Sequence, residues 1–351
     1  MTWRVLQGDC REVLRTLPRE SVQCCVTSPP YWGLRDYGVD GQLGLESTPA
    51  DYVKHMVKVF RAVRRVLRPD GTLWLNLGDT YCSAPPGNER PDHTGGTLLE
   101  TRGRQKEARS RGPRSPRWNG RGEPQRTDKN KASAANELVQ PNRLAVPGLK
   151  PKDLAGIPWR VAFALQADGW WLRQEIIWHK PNPMPEAVKD RPTRSHEQVF
   201  LLTPSATYFY DHLAIMEPVT GGAHRRGRGT HPKSQDPRSR ETKQNASFSA
   251  AVTELVEERN ARSVWTMTTR PFAGAHFATF PPELPERCIR AGSRAGDLVL
   301  DPFAGAGTTG LVALRTGRSF VGIELSPTYA AMARDRIAAD APLLNVPTEA
   351  A

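Results

Sequence analysis

Apolar positions along the chain fall into short buried-type runs that alternate with longer segments of helical period. Trp3-Arg4-Val5-Leu6 reads as a short strand, and Asp9 to Leu17 as a helix ended by Pro18. Val22-Gln23-Cys24-Cys25-Val26 is a strand of the fully buried kind, stopped by Thr27-Ser28-Pro29-Pro30. Val53, Met56, Val57, Phe60, Val63 and Leu67 recur at helical spacing and predict a long helix. Pro49 precedes its acidic first turn at Asp51, and Pro69-Asp70-Gly71 is expected to terminate it before a strand at Thr72–Leu77.

After a polar interval the pattern resumes. Leu154 to Ala167 predicts a helix, Trp171 to Trp178 a strand, and Glu197 to Leu202 another. Leu298-Val299-Leu300-Asp301 is a buried strand that opens onto Pro302-Phe303-Ala304-Gly305-Ala306-Gly307-Thr308-Thr309-Gly310. A helix runs on to Arg315, Phe320 to Glu324 is a second strand, and a last helix covers about 328–339. Strands alternating with helices predict an α/β fold, a doubly wound and mainly parallel sheet covered on both faces.

Charge divides the chain further. The 351 residues hold 49 Lys+Arg against 37 Asp+Glu, a net of +12. From Arg102 to Lys131 there are eleven Lys/Arg and three Asp/Glu, a net of +8; from Gly221 to Lys243 seven against two, a net of +5. The remainder is therefore close to neutral, and two basic Pro/Gly-rich stretches interrupt it. Such stretches suit a polyanionic partner, although solvated loops alone would look the same. The expected organisation is a first part of the core at 1–79, a partly disordered basic insertion at 80–150, and core continuation at 151–203. A second basic region at 204–262, a further core half at 263–340 and a tail at 341–351 complete it. No run approaches the roughly 18 apolar residues of a membrane span. The start lacks a signal-peptide core, and the five cysteines form no CxxC pair, so a cytoplasmic, reduced protein is expected.

Two turns carry candidate chemistry. Gly305-x-Gly307-x-x-Gly310 follows a strand and opens a helix, and Glu324 ends the next strand. Glycines let the backbone approach a ligand closely and the acid can hold ribose hydroxyls, but a tight strand–helix turn also needs glycine for packing alone. Only 27 residues follow Glu324, so the rest of the sheet is expected upstream, in permuted order. Asp301 and Phe303 beside the glycines suit a nucleoside with a compact charged tail better than a pyrophosphate. At the other turn, consecutive prolines remove backbone donors, leaving free carbonyls beside the Ser28 hydroxyl and the rings of Tyr31 and Trp32. That patch can accept hydrogen bonds from an exocyclic amine and stack on its ring; it can equally be a strand end with aromatics in the core.

Taken together, the chain resembles a DNA amino-methyltransferase of the beta arrangement, in which the catalytic motif precedes the cofactor motif. Thr27-Ser-Pro-Pro-Tyr-Trp32 resembles the family's catalytic motif, and Asp301-Pro-Phe-Ala-Gly-Ala-Gly-Thr-Thr309 its S-adenosylmethionine loop. Gly322-Ile-Glu-Leu325 resembles the ribose-binding segment, Gly8-Asp9-Cys10 the segment near the adenine, and His276-Phe-Ala-Thr-Phe-Pro281 the segment that closes over methionine.

The resemblance implies the S-adenosylmethionine-dependent methyltransferase fold and a catalytic set of Ser28, Pro29, Pro30 and Tyr31, with Trp32 supporting the base-stacking wall. It implies cofactor contacts from Asp9, Ala278, Thr279, Asp301, Phe303, Ala304, Gly305, Gly307, Thr308, Thr309 and Glu324. Asp9 can instead cap the helix after it, and Thr308 and Thr309 can cap theirs. The motif's first residue, Ser28, favours cytosine N4 over adenine N6 as the acceptor. Carbon-5 chemistry, which uses a Cys after a proline, finds no Pro-Cys dipeptide here.

Duplex DNA is the implied partner, with target recognition expected mainly in 204–262, 80–150 as a second clamp, and Arg225, Arg226 and Arg228 the best candidates for phosphate or guanine contacts. His179 and Lys180, in Trp178-His-Lys-Pro-Asn-Pro183, serve either a structural loop or the DNA and base; no metal site is expected. A homodimer and a partner restriction endonuclease are compatible with the family. RNA methylation, a non-catalytic DNA-binding module and a dinucleotide oxidoreductase are the rival readings.

Overall fold

The computed structural model describes residues 1–82, 146–219, 258–269, 280–340 and 346–347. In chain order the strands are β1 (Thr2–Gln7), β2 (Val22–Thr27), β3 (Leu67–Leu77), β4 (Trp171–His179), β5 (His196–Thr203), β6 (Glu217–Pro218), β7 (Glu258–Arg259), β8 (Val264–Thr266), β9 (Leu298–Asp301), β10 (Ser319–Glu324) and β11 (Val346–Pro347). The helices are α1 (Cys10–Thr16), α2 (Pro49–Val66), α3 (Ile157–Ala167), α4 (Glu283–Gly292), α5 (Thr308–Arg315) and α6 (Pro327–Asp340). Among the described residues, nine strands form one sheet in the order β11-β1-β10-β9-β2-β3-β5-β4-β8, and β6 pairs with β7 separately. Pairing is parallel from β11 to β3, antiparallel on both sides of β5, and parallel again between β4 and β8.

Both faces of the sheet are covered, which is why β2 is buried at every position. On one face α1, α2 and α3 pack Leu14, Met56, Phe60 and Val161 against Cys25, Leu73, Leu75 and Leu300. On the other, α4, α5 and α6 pack Ile289, Leu311 and Ile337 against Val26, Trp74, Val299 and Phe320. The doubly wound, mainly parallel sheet expected from the alternation is therefore present. No helix among the described residues is long and apolar enough to cross a membrane.

Topology sets the place of the site. From β9 the chain winds through α5 to β10 on one side, whereas from β2 it winds through α2 to β3 on the other. β9 and β2 are parallel neighbours, Cys24 opposite Val299 and Cys25 opposite Leu300. The winding reverses between them, and a crevice opens at their carboxyl ends, where sheets of this kind bind ligands.

Three expectations shift. Helix α2 has a Thr48 cap, whose Oγ1 accepts from Asp51 N at 3.1 Å, but it stops at Val66. Pro69-Asp70-Gly71 follows its end as expected, within the span of β3 but at an irregularity where the register with β2 jumps from Val22–Leu67 to Cys24–Thr72; Pro69 disfavours helical backbone at Arg68. Gly71 lets β3 run close beside β2, since a Cβ there would lie 3.0 Å from the Gln23 carbonyl oxygen. Helix α3 starts at Ile157 and not Leu154, because its first amides are held from outside: Asp79 accepts from Gly156 N at 3.1 Å and Ile157 N at 3.0 Å. Of the tail, Val346–Pro347 pairs with β1. The greater part of both basic stretches, with Arg225, Arg226 and Arg228, lies outside the described residues.

Candidate active site

A cavity of about 960 Å³ lies over the ends of β9 and β2, and both sequence motifs line it. The glycine turn contributes Asp301, Pro302, Phe303, Ala304, Gly305, Ala306 and Thr308; the proline corner contributes Ser28, Pro29, Pro30 and Tyr31. Asp9 and Glu324 line the same space.

The glycine turn is held by the protein itself. The amides of Phe303 and Gly305 donate to Asp301 Oδ1 (3.0 Å) and Glu324 Oε2 (2.8 Å). Those of Ala304 and Gly307 donate to the carbonyls of Ile323 (2.9 Å) and Ala304 (2.8 Å). These four amides fix the shape of the turn, which brings bare backbone close to the cavity. Gly307 does not line the cavity: it has a φ of 74°, and a Cβ there would sit 3.0 Å from the Ala333 methyl. Gly310 is likewise required by packing, since a Cβ would lie 2.5 Å from the Phe320 ring.

The acids of this half are also engaged. Asp301 is buried and accepts from Thr27 Oγ1 and Thr309 Oγ1, each at 2.7 Å, besides Phe303 N. Burial pushes its carboxyl up to about 6 against the pull of those hydrogen bonds. Thr309 therefore braces Asp301 and does not reach the cavity, whereas Thr308 lines it and accepts from Arg336 at 2.8 Å. Neither threonine hydroxyl caps α5, whose cap is Gly307. Glu324 takes Gly305 N on one oxygen and Ser326 N on the other, both at 2.8 Å, and burial raises its pKa. Tyr37 and Tyr329 meet edge to face beside it, centroids 6.4 Å apart. Asp9 does cap α1, accepting from Arg11 N at 2.8 Å and pairing with the Arg11 guanidinium, and still faces the cavity.

At the proline corner Tyr31 is anchored at three points. Its Oη lies 3.1 Å from Ser28 Oγ, 3.0 Å from Asn76 Oδ1 and 2.8 Å from Glu197 Oε2. Its ring rests on the backbone of Gly78, where a Cβ would collide with Cε2 and Cδ2 of the ring. Burial, and then the Glu197 charge, push its phenol well above the ordinary value. Lys180 pairs with Glu197 and sits 4.3 Å from the centroid of the Trp178 ring, lining the cavity. His179 is outside the lining, its Nδ1 3.2 Å from Thr266 Oγ1. Trp32, expected to support the base wall, is fully buried and outside the lining, and its indole donates to the Glu46 carbonyl at 2.8 Å.

Sequence reasoning missed Asn76, Gly78 and Glu197. Asn76 carried a signal, a polar residue inside an apolar strand, but Glu197 had none locally. Ala278 and Thr279 lie outside the described residues.

A sheet that reverses its winding, with the glycine turn and the serine–proline corner facing one shared cavity, has its site where α/β enzymes bind their ligands. The chain belongs to the family of N6 and N4 DNA methyltransferases, whose family model, described as DNA methylase, matches residues 22–335. Among its relatives, the type II methyltransferase M.XycI of Xanthomonas campestris pv. cyanopsidis is 46% identical over 95% of this chain and 87% of its own length. M.Cfr9I of Citrobacter freundii, also a type II methyltransferase, is 45% identical over the same shares. The solved PvuII DNA methyltransferase, described as cytosine-N4-specific, shares the fold with a TM-score of 0.56 at 17% identity, over 98% of this chain and 93% of that one. A putative DNA modification methylase of Thermus thermophilus, solved with S-adenosyl-L-methionine, shares it with a TM-score of 0.54 at 22% identity over the whole of both chains.

Proposed function

We propose that the protein is a site-specific DNA methyltransferase that moves a methyl group from S-adenosylmethionine to the N4 amine of a cytosine flipped out of duplex DNA. The observation that carries the reading is the shared cavity, in which the glycine turn and Ser28-Pro-Pro-Tyr31 face one space from adjacent strands. The site suits this cofactor: Glu324, with one amide on each carboxylate oxygen, keeps acceptor lone pairs for ribose hydroxyls. Asp9 is assigned to the adenine end, and Asp301 holds the turn in shape for the methionine end.

S-adenosylmethionine, when bound, supplies a methyl group made electrophilic by its sulfonium. The chain's own residues position the acceptor. Ser28 Oγ and the Pro29 carbonyl accept hydrogen bonds from the amino group, turning its lone pair out of conjugation with the ring, while Tyr31 forms the wall against which the base lies. Transfer would be direct and in line, with no covalent enzyme intermediate. The amine nitrogen would take the methyl group as its bond to sulfur breaks, and the methylated amine would then release one proton to solvent. Acceleration comes from positioning and fixed dipoles. The target leaves the stack to reach the cavity, as base-modifying enzymes generally require. Arg225, Arg226 and Arg228 are assigned to DNA contacts.

Cytosine N4 is favoured by the Ser that opens the corner; adenine N6 is the second reading. Modification-sensitive sequencing of DNA from cells expressing the protein tests both, and methylation of adenine, or of RNA alone, would overturn the assignment.

A further inference from the structure

Glu197 stands near the start of β5 and Asn76 near the end of the adjacent β3, and their side chains meet at the Tyr31 hydroxyl, in the lining of the same cavity. Asn76 Nδ2 donates to Glu197 Oε2 at 3.1 Å and to the Gln198 carbonyl at 3.2 Å. Those two acceptors fix which way the amide faces, and its Oδ1 is left to Tyr31 as an acceptor. The other Glu197 oxygen is paired with Lys180. Tyr31 Oη thus faces two groups that only accept, at 2.8 and 3.0 Å, and it has a single proton to give. That proton is committed on the Glu197 side. The contact between Ser28 Oγ and Tyr31 Oη at 3.1 Å is then a hydrogen bond in one direction only, with Ser28 donating.

The consequence is chemical. A serine hydroxyl facing an amine can either accept an amine N–H or donate to the amine nitrogen. Donation would engage the lone pair that must attack the methyl group, whereas acceptance turns that lone pair free. We propose that Glu197 is a positioning residue: through Tyr31 it draws the Ser28 proton away from the base, so that Ser28 Oγ can only accept from the target amino group. This rests on the reading of the cavity as an amino-methylation site. The phenol must stay protonated for the chain to hold its direction, and burial beside Glu197 keeps it so. Asn76 and Glu197 line the same cavity as Ser28 and Tyr31, and the role proposed for them is exerted through the tyrosine.

The test compares Tyr31→Phe, Glu197→Gln and the double variant in single-turnover transfer to a duplex carrying the site mapped for the wild-type protein. Tyr31→Phe deletes only the bridging oxygen. Glu197→Gln replaces the charged acceptor by an amide that can donate to Tyr31, leaving only the neutral Asn76 Oδ1 at 3.0 Å to hold the phenolic proton against Ser28. Each is expected to slow transfer by about tenfold or more. Affinity for S-adenosylmethionine, affinity for the duplex without cofactor, and the fluorescence rise of 2-aminopurine at the target position are all expected to stay within about twofold. Because both substitutions break one connection, the double variant should be no slower than the slower single variant. Wild-type transfer by Tyr31→Phe or by Glu197→Gln, losses that multiply in the double variant, or a loss that falls on duplex affinity would each overturn the proposal. If Glu197→Gln does not fold, Tyr31→Phe alone decides. A wild-type protein that methylates no DNA would instead sink the functional reading beneath it.

Discussion

Thr27 Oγ1 donates a 2.7 Å hydrogen bond to Asp301 Oδ1, joining the residue before the proline corner to the residue before the glycine turn. The two lie 274 positions apart in the chain and end adjacent strands. Through this bond the two halves of the cavity share a fixed geometry. Thr27→Val keeps the shape of the side chain and leaves a buried carboxyl short of a donor. It should destabilise the fold by about 1–3 kcal/mol in urea unfolding and lower methyl transfer with it. Wild-type stability in that variant would show that the bond contributes nothing.

Asp301 itself predicts a pH dependence. Its folded pKa of about 6 lies above the ordinary carboxyl value of 3.8, so the folded state binds the proton more tightly than the unfolded chain. Stability from this group is fully present below the unfolded value and is lost as pH rises from about 4 through 6. Asp301→Asn has no such titration, so its stability relative to wild type should climb across that window by up to about 3 kcal/mol. Urea unfolding of both proteins at pH 4 and pH 7 measures the change; a constant difference would contradict it.

Gly78→Ala places a Cβ where the Tyr31 ring now lies. The backbone cannot yield easily beside β3, so the ring must move from the base wall. Methyl transfer should fall by about tenfold or more, with S-adenosylmethionine affinity kept because Glu324 and the glycine turn are untouched. Unchanged turnover would show that Tyr31 need not hold this position.

Ser28→Ala and Glu324→Ala should separate chemistry from binding. The first removes the acceptor facing the amine and is expected to cut transfer strongly while calorimetry gives near wild-type cofactor affinity. The second removes the ribose acceptor and the partner of Gly305 N and Ser326 N, so cofactor affinity should drop by about tenfold or more. The assignment of the two halves fails if the effects are exchanged.

Replacing Arg225, Arg226 and Arg228 by Ala should weaken duplex binding for all sequences alike. The slope of log affinity against log salt should become shallower by about 0.9 for each phosphate contact removed. Identical slopes for variant and wild type would place the phosphate contacts elsewhere.

Much of this fold was written locally. Val22–Val26 and Leu298–Asp301 are apolar enough to be buried on both faces, and Asp51 with Pro49 marks the start of α2. The short α4 was missed, because its three prolines at 281, 282 and 285 mask a helical period that only packing under β2 and β3 supports. Pro-Asp-Gly reads as a turn after α2, and it falls where the pairing of β3 with β2 is irregular, the register jumping from Val22–Leu67 to Cys24–Thr72.

The sequence by itself determined the two turns that carry the chemistry, because proline and glycine act on their own backbone wherever they stand. Tertiary structure decided what those turns face. It made β9 and β2 neighbours, buried Trp32, tied up the amides of the glycine turn, and brought Glu197 and Asn76 to the Tyr31 hydroxyl. Those outcomes depend on which strands pair and in what register. Pairing is a balance of burial over the whole sheet, so a side chain that works through a partner more than a hundred residues away leaves little trace in its own neighbourhood.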